Sequence, residues 1–419
     1  MVNIKGFRVA KLAELCRRIT VGHVGPMRDE YLDHGIPFLR SQNITPFHLD
    51  FSELKFVSPQ FHAKLRKSAL KPRDVVVVRT GYPGTACVVP DSLLESNCAD
   101  LVVVTPDEQL NPHYLAALFN SEWGIATVGG RLVGVAQQHF NISVAKEMEV
   151  RLPPREVQDR VADILCAIQD LITSNHRRIQ ILEEMARSIY REWFVRFRFP
   201  GHEASGTVAT ALGPVPEDWQ VLPFSECINV NPRTIVPRDG EKLFVPMSSL
   251  SNDSMVIADV ETRAGNSGSK FQNGDTLFAR ITPCLENGKT GFVQFLPTAS
   301  AVAFGSTEFI VLRSRSVTPE FVYLLARSDA FRMNAIKSMS GATGRQRVQE
   351  RCFDSFLVPL PTRAILDRFS SVVAPMFNLI HQLHLQGTNL RATRDLLLPR
   401  LMSGQLTLPE AEEAIPAAL

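Results

Sequence analysis

The feature that most constrains this chain is an internal repeat with a period of about 208 residues. Four segments of the first half recur in the same order in the second half. They are VAKLAEL at 9–15 and VLPFSEC at 221–227; LKPRDVVVVRTGYPGTACVV and FQNGDTLFARITPCLENGKTGFV; ADLVVVTPDEQLNPHYLAALFNS and STEFIVLRSRSVTPEFVYLLARS; QHFNISVAKEMEVRLPPREVQDR and QRVQERCFDSFLVPLPTRAILDR. Because four ordered echoes rarely arise by chance, we predict two copies of one domain.

Each copy begins with short β-branched runs cut by Gly, Pro and Asn, and ends in a long helical pattern. Apolar residues alternate at spacings of four and three, as in a heptad seam. The seam of the first helix is Val157, Val161, Ile164, Ile168, Leu171, Leu182, Met185 and Ile189, and that of the second is Ile365, Phe369, Val372, Met376, Leu379, Leu383, Leu390 and Leu397. We expect Pro375 to bend the second helix.

A helix from Pro154 to Arg198 would be about 65 Å long at 1.5 Å per residue and could not bury its seam alone. Its equivalent in the second copy is the economical partner, so we predict an antiparallel coiled coil of the two helices. Asn175 and Arg178 fall on the predicted seam, where polar residues set the register of a coiled coil or are simply solvated.

The predicted fold class is therefore α+β, with two mixed α/β domains joined by two long helices. The predicted segments are a first domain at 1–152, a first helical region at 153–198, a linker at 199–218, a second domain at 219–360, a second helical region at 361–403 and a tail at 404–419. The linker and the tail are assigned from Gly, Ala, Pro and Glu-rich composition.

Composition leaves the class of partner open, since the formal net charge is only +2. Arg outnumbers Lys by 34 to 11, which suits recognition of guanine and phosphate but also follows from a GC-rich genome. The seven Cys are scattered singly, so neither a disulfide framework nor a zinc site is indicated. No apolar run approaches the roughly 20 residues that span a bilayer, and we expect a cytoplasmic protein.

One motif suggests catalysis. Asn111 to Tyr114, Asn-Pro-His-Tyr, resembles the Asn-Pro-Pro-Tyr motif of enzymes that methylate adenine. Its echo in the second copy is Thr-Pro-Glu-Phe from Thr318, which preserves a helix cap but no adenine chemistry. We therefore interpret the motif as the start of a helix.

Loops after equivalent strands differ in content although the surrounding pattern repeats, which favours a role in recognition. Their side chains can read base edges or bind phosphates. The candidate DNA-binding residues are Arg40, Gln42, Asn43, Arg79, Tyr82, Gln138, His139, Ser248, Arg280, Asn287, Lys289, Arg345 and Arg347. No catalytic, cofactor-binding or metal-binding residue is predicted.

The segments GDTLFARITPCLENGKTGFV, GATGRQRV and LPPREVQDRVADIL…EEMARSIYREWFV resemble the specificity subunit of type I restriction-modification enzymes. The resemblance covers nearly the whole chain and is weaker in the first domain. It implies a non-catalytic subunit whose two domains each bind one half of a bipartite site in double-stranded DNA.

The resemblance also implies partners. Methylation subunits, two in number, would dock on this chain and methylate a flipped-out adenine with S-adenosylmethionine, and motor-nuclease restriction subunits would join them. No cofactor is expected on this chain. Two other hypotheses remain at this stage: a self-sufficient adenine methyltransferase that uses Asn111 to Tyr114, and a coiled-coil adaptor that binds only proteins.

Overall fold

The computed structural model describes residues 7–129, 140–342 and 344–405. It divides into two compact units: unit 1 comprises residues 1–174 and 386–419, and unit 2 comprises residues 175–385. The division falls within the two long helices, α5 (Arg155–Tyr190) and α9 (Arg363–Ser403), so each helix contributes to both units.

Unit 1 is built from short strands with small helices between them. Its strands are β1 (Arg8–Lys11), β2 (Cys16–Val21), β3 (Ile36–Leu39), β4 (Ile44–Thr45), β5 (His48–Leu49), β6 (Lys55–Val57), β7 (Val75–Val78), β8 (Ala86–Val88), β9 (Asn97–Cys98), β10 (Leu101–Pro106) and β11 (Glu149–Leu152). Its small helices are α1 (Pro59–Lys64), α2 (Pro112–Asn120), α3 (Glu122–Val128) and α4 (Ile142–Glu147).

The main sheet of unit 1 is antiparallel, in the order β2-β10-β7-β8. A second sheet, β6-β3-β9, contains the parallel pair β3 and β9, and β1 pairs with β11. The four Val of β7 are fully buried because both faces of the sheet are covered. One face packs on α2 and the first part of α5, and the other on β4, β5 and β9.

Unit 2 contains strands β12 (Thr207–Thr210), β13 (Gly213–Pro216), β14 (Gln220–Pro223), β15 (Ile228–Val230), β16 (Glu241–Val245), β17 (Glu261–Ala264), β18 (Ser269–Gln272), β19 (Thr276–Ala279), β20 (Thr290–Phe292), β21 (Val302–Gly305), β22 (Phe309–Ser314) and β23 (Leu357–Leu360). Its small helices are α6 (Phe224–Cys227), α7 (Pro319–Arg327) and α8 (Asp329–Lys337). The main sheet is antiparallel, in the order β15-β22-β19-β20, and the second sheet is β17-β16-β21-β18.

The main sheets have corresponding strand orders. Each has a buried carboxylate just before the strand that begins its last hairpin, which is β7-β8 in unit 1 and β19-β20 in unit 2. Asp74 precedes β7 and accepts hydrogen bonds from Arg18 and Thr105. Asp275 precedes β19 and accepts two hydrogen bonds from Arg313, at 2.6 and 2.7 Å. The guanidinium therefore comes from the edge strand β2 in unit 1 and from the central strand β22 in unit 2.

Both long helices form where they were predicted, but their buried stripes are shifted. In α5 the predicted seam residue Met185 is 46% exposed, and Arg178 is also exposed, whereas Asn175, Ile179 and Ala186 are buried. In α9 Val372 and Leu379 are exposed, and the buried stripe runs through Leu366, Phe369, Val373, Phe377, Ile380, Leu383, Leu390, Leu397 and Leu401. Helix α9 continues as one element through Pro375.

Within unit 1, the first part of α5 shares a core with the last part of α9, where Gln169 accepts a hydrogen bond from Arg394 at 2.8 Å. Within unit 2, the last part of α5 and the π-helical turn Arg191–Val195 pack on the first part of α9, with Phe194 and Phe369 rings 4.7 Å apart. The predicted pair of long helices is thus present, and the coiled-coil geometry remains a prediction.

The segment at 199–218, predicted as a linker, is folded. It contains the hairpin of β12 and β13, and Phe199, Val215 and Trp219 are buried in the core of unit 2. Aromatic residues in a Gly and Ala-rich segment can close an end of a core, which composition alone does not indicate. The predicted tail lies almost wholly outside the described residues.

The seven Cys are free thiols. Among the described helices, none combines the length and apolarity needed to cross a bilayer. The mixed helix and strand content of the predicted fold class is confirmed.

Candidate nucleic-acid interface

In unit 2 three loops meet at one edge of the main sheet. Arg280 follows the end of β19, and its backbone N–H donates to the carbonyl of Glu308, which precedes β22. Arg280 also donates to the carbonyl of Val348 at 3.3 Å and pairs with Glu350 at 3.0 Å. The backbone N–H of Thr282 donates to the carbonyl of Gln346. Loops 280–289 and 344–350 are thereby joined.

Lys289 connects the third loop, residues 246–250. Its ammonium donates to the carbonyl oxygens of Met247 at 3.1 Å and Leu250 at 2.8 Å. We call loops 246–250, 280–289 and 344–350 the unit 2 loop surface. Lys289 was predicted to contact DNA, but its donors hold this surface together, which removes it from the set of reading residues.

Arg347 is also engaged within the protein. Its guanidinium donates to both carboxylate oxygens of Glu308, at distances from 2.7 to 3.1 Å. This hydrogen bond holds the pKa of Glu308 below its usual range. Because Arg347 remains 46% exposed, it can still meet a phosphate through its free face.

Three predicted residues stand exposed on the unit 2 loop surface. They are Ser248, Asn287 and Arg345. Among the described residues, no side-chain hydrogen bond or ion pair involves any of the three. Their donors and acceptors are therefore available to a ligand at little cost to the fold.

A basic cleft of about 550 Å³ adjoins this surface. It lies where β15 ends and β22 begins, and it is lined by Arg233, Lys270 and Arg280, with no carboxylate side chain among its described lining residues. Three cations in one concave site favour an anionic ligand such as a phosphate. Arg233 and Lys270 were not predicted; the available signal was an Arg in a Pro-flanked loop just after a strand.

In unit 1 some of the predicted DNA-binding residues are exposed, and others are buried or hydrogen-bonded within the protein. Arg40 donates to the carbonyl of Glu53 at 2.5 Å and lies over the ring of Tyr31, and Gln42 donates to the Glu53 carboxylate at 2.8 Å. Asn43 is only 1% exposed. Its amide accepts from the backbone of Arg40 and donates to the carbonyl of Asp50, so it shapes the loop and is unavailable to DNA.

Arg79 and Tyr82 follow β7 but have opposite surroundings. Arg79 donates to the carbonyl of Phe140 at 3.0 Å and pairs with Asp100 at 2.8 Å, which ties it to the fold. Tyr82 is 84% exposed, so its ring is free to stack or hydrogen-bond. The two remaining predicted residues, Gln138 and His139, lie outside the described residues.

The Asn-Pro-His-Tyr motif is the start of helix α2. Asn111 caps the helix by accepting from the backbone N–H groups of His113 and Tyr114, at 2.8 and 3.3 Å. Its amide nitrogen donates to Asp159 at 2.6 Å. The ring of Tyr114 is 1% exposed and cannot stack on a base. The interpretation as a helix cap is confirmed, and these groups form no adenine pocket.

No family model matches the chain. The MjaIX specificity subunit of a type I restriction enzyme from Methanocaldococcus jannaschii is 24% identical over 406 residues, which cover 91% of this chain and 89% of that protein. The EcoEI specificity subunit from Escherichia coli is 28% identical over 206 residues, 48% of this chain but only 34% of that protein.

Among solved structures, the crystal structure of the S subunit of a type I restriction-modification system from M. genitalium has a similar fold. Its TM-score is 0.56 at 11% identity, over 96% of this chain and 97% of that one. At this identity the likeness shows the fold alone. The resemblance to specificity subunits noted in the sequence is confirmed by these relatives.

Proposed function

Because its curated homologues are type I restriction enzyme specificity subunits, we propose that this chain is the DNA-recognition subunit of such a system. Each unit reads one half of a bipartite site in double-stranded DNA. The long helices set the distance between the half-sites, and the chain itself carries no catalytic group. The observation that carries this proposal is the unit 2 loop surface, which presents exposed polar side chains beside a cleft of three cations.

The exposure and charge of the side chains suggest two roles, phosphate binding by the cations of the cleft and base reading by the exposed loop residues. Arg233, Lys270 and Arg280 bind phosphates and position the duplex. Ser248, Asn287 and Arg345 are unengaged and read base edges in a groove. Half-buried Lys289 keeps the loops in place without touching a base.

The corresponding strand orders of the two main sheets support the idea of two reading units. Equivalent frames with different loops would present different reading groups, as a bipartite and asymmetric site requires. In unit 1, Tyr82 and the exposed amide of Gln42 supply such groups.

The helix contacts within each unit support the proposed spacer. The early part of α5 packs with the late part of α9 in unit 1, and the late part of α5 packs with the early part of α9 in unit 2. This order of pairing is the one that two antiparallel helices require. The buried stripe of α9 at spacings of three and four is typical of a coiled-coil seam.

The partners follow from the same proposal. Methylation subunits dock on this chain and supply S-adenosylmethionine and the adenine pocket, and restriction subunits complete the nuclease. The helix cap at Asn111 and buried Tyr114 fit a division in which adenine chemistry lies on another subunit.

The decisive experiment combines the full chain with the methylation subunit of its own system and maps methylated adenines by sequencing. We expect a bipartite motif whose methylation requires this chain. An unbroken motif, or methylation that proceeds without the chain, contradicts the proposal.

Charge-removal variants of the basic cleft refine the test. Arg233→Gln and Lys270→Gln should weaken binding to all sequences alike and each reduce the salt slope of binding by about 1. Arg345→Ala should instead relax preference at one position of one half-site. Lys337→Gln, an exposed residue at the end of α8, is the matched control and should bind as the unsubstituted chain does.

A further inference from the structure

A second basic cleft lies in unit 1. It is at the opposite end of the main-sheet strands from the loop that carries Arg79 and Tyr82. Here β7 and β2 begin and β10 ends, since Val75 pairs with Val104 and Cys16 with Pro106. Arg79 and Tyr82 follow the other end of β7. The cleft has a volume of about 540 Å³, within the range of small-molecule sites.

Five basic side chains line this cleft, and three of them are engaged. Arg17 pairs with Glu108, Arg18 with Asp74, and Arg155 with Asp159. The other two are Lys71 and Arg73, both exposed. Among the described residues, neither of these two side chains forms a hydrogen bond or an ion pair. They add positive charge to a cleft whose lining also holds the carboxylates of Asp107 and Glu108, the second of which pairs with Arg17.

Arg73 holds its side chain here against a backbone preference. Its φ is +69°, in the left-handed region that favours glycine. At the corresponding position before Asp275, unit 2 has Gly274 with φ +87°. A non-glycine residue in this region is strained by on the order of 1 kcal/mol, and such strain concentrates at functional sites. The guanidinium is therefore retained where glycine would fold more easily.

The rest of the lining contains four apolar residues beside Thr105, Asp107 and Glu108. Pro72, Pro106, Leu110 and Pro112 form a surface beside the cations. Their rings and methyl groups suit the face of a sugar or base, while Arg and Lys suit a phosphate.

We propose that this cleft is a binding site for a phosphate ester, held by Lys71 and Arg73 with Arg17 beside them. The phosphate belongs either to a free nucleotide or to the backbone of bound DNA. The free-nucleotide alternative does not depend on the proposed function, whereas the DNA-backbone alternative rests on it.

The second unit offers an internal comparison. The cleft beside Pro319, which corresponds to Pro112, is lined by only one cation, Arg363, and Asp367 pairs with it at 2.9 Å. We therefore expect no phosphate site beside Pro319; the basic cleft of Arg233, Lys270 and Arg280 lies elsewhere in unit 2.

The test is isothermal titration calorimetry of the full chain with ATP, with inorganic phosphate and with a 30-base-pair duplex of arbitrary sequence. Arg73→Gly and Lys71→Gln are the test variants, and Lys64→Gln, an exposed residue at the end of α1, is the matched control. We expect saturable binding of ATP, or of the duplex, with an affinity that either test variant weakens at least tenfold and the control leaves unchanged. Loss of ATP binding identifies a free nucleotide; a loss confined to the duplex identifies the DNA backbone.

Thermal unfolding of Arg73→Gly separates binding from folding. Because glycine relieves the left-handed strain, the melting temperature should not fall. Failure of ATP, inorganic phosphate and the duplex all to bind, or unchanged affinity in both test variants, would overturn the proposal. A lower melting temperature of Arg73→Gly with unaltered affinity would also overturn it, since Arg73 would then have a structural role. Mapping of methylated adenines reports separately on the proposed function.

Discussion

Arg347 donates hydrogen bonds to both carboxylate oxygens of Glu308, with its Nη2 at 2.7 Å from Oε1 and its Nε at 3.0 Å from Oε2. The pair fastens loop 344–350 to the turn before β22, beside the carbonyl that accepts from Arg280. On the unit 2 loop surface, one side chain thus serves the fold and is also a predicted DNA contact.

Low pH should weaken the ion pair of Arg347 and Glu308. The hydrogen bond from Arg347 lowers the pKa of Glu308, so the pair stabilises the fold above the unfolded pKa of about 4.3 and loses its effect as the pH falls through the lower folded value. We expect Glu308→Gln to unfold at a slightly lower urea concentration than the unsubstituted chain at pH 7, and at the same concentration near pH 3. An unchanged difference at both pH values would show that the pair does not act through this ionisation.

Breaking the buried pair of unit 2 should be far more costly. Asp275 is 1% exposed at its side chain and Arg313 is 20% exposed. Arg313→Met leaves a buried carboxylate without its cation, and we expect a loss of about 3–5 kcal/mol in the free energy of unfolding, measured by urea denaturation. Adding Asp275→Asn should recover part of the loss. A double variant as unstable as the sum of the single ones would contradict this account.

Lys289 should matter for folding rather than for base reading. Lys289→Met leaves the carbonyls of Met247 and Leu250 without their donor, which should cost about 1–3 kcal/mol. Hydrogen exchange should show faster exchange in loop 246–250. If stability were unchanged and only DNA affinity fell, Lys289 would contact DNA after all.

Tyr82 and Asn43 should behave in opposite ways. Tyr82→Ala removes an exposed ring, so stability should change by less than about 0.5 kcal/mol while DNA affinity falls. Asn43→Ala removes the side-chain partner of the part-buried backbone groups of Arg40 and Asp50 and should cost about 1–3 kcal/mol. Thermal unfolding and mobility shifts on specific and random DNA measure the two effects.

The spacer can be lengthened in steps that respect the buried stripes. Inserting seven residues after Ser174 in α5 and seven after Leu385 in α9 keeps the spacing of three and four and adds about 10 Å to each helix. The two half-sites should remain the same and move apart by about three base pairs at 3.4 Å each. An insertion in α5 alone is the control and should destabilise the chain. Altered half-site sequences would contradict the proposed division of labour.

The positions of α5 and α9 could be predicted because period, length and a proline-flanked start are local properties of the chain. The side of each helix that is buried could not be predicted from the sequence. Val372 and Val373 are adjacent and equally apolar, yet only Val373 is buried, because burial depends on where the neighbouring elements lie. The same holds for Met185 and Ala186.

By itself, the sequence predicted two copies, and it determined the mixed strand and helix content and the capped start at Asn111, since these follow from periodicity and side-chain hydrogen bonding over a few residues. Tertiary structure alone decided which of the predicted loop side chains are free. Lys289 and Arg79 find carbonyl and carboxylate acceptors on distant segments, whereas Tyr82 finds none among the described residues. Because these acceptors lie far from their donors in the sequence, the residues around a donor do not show that it is engaged.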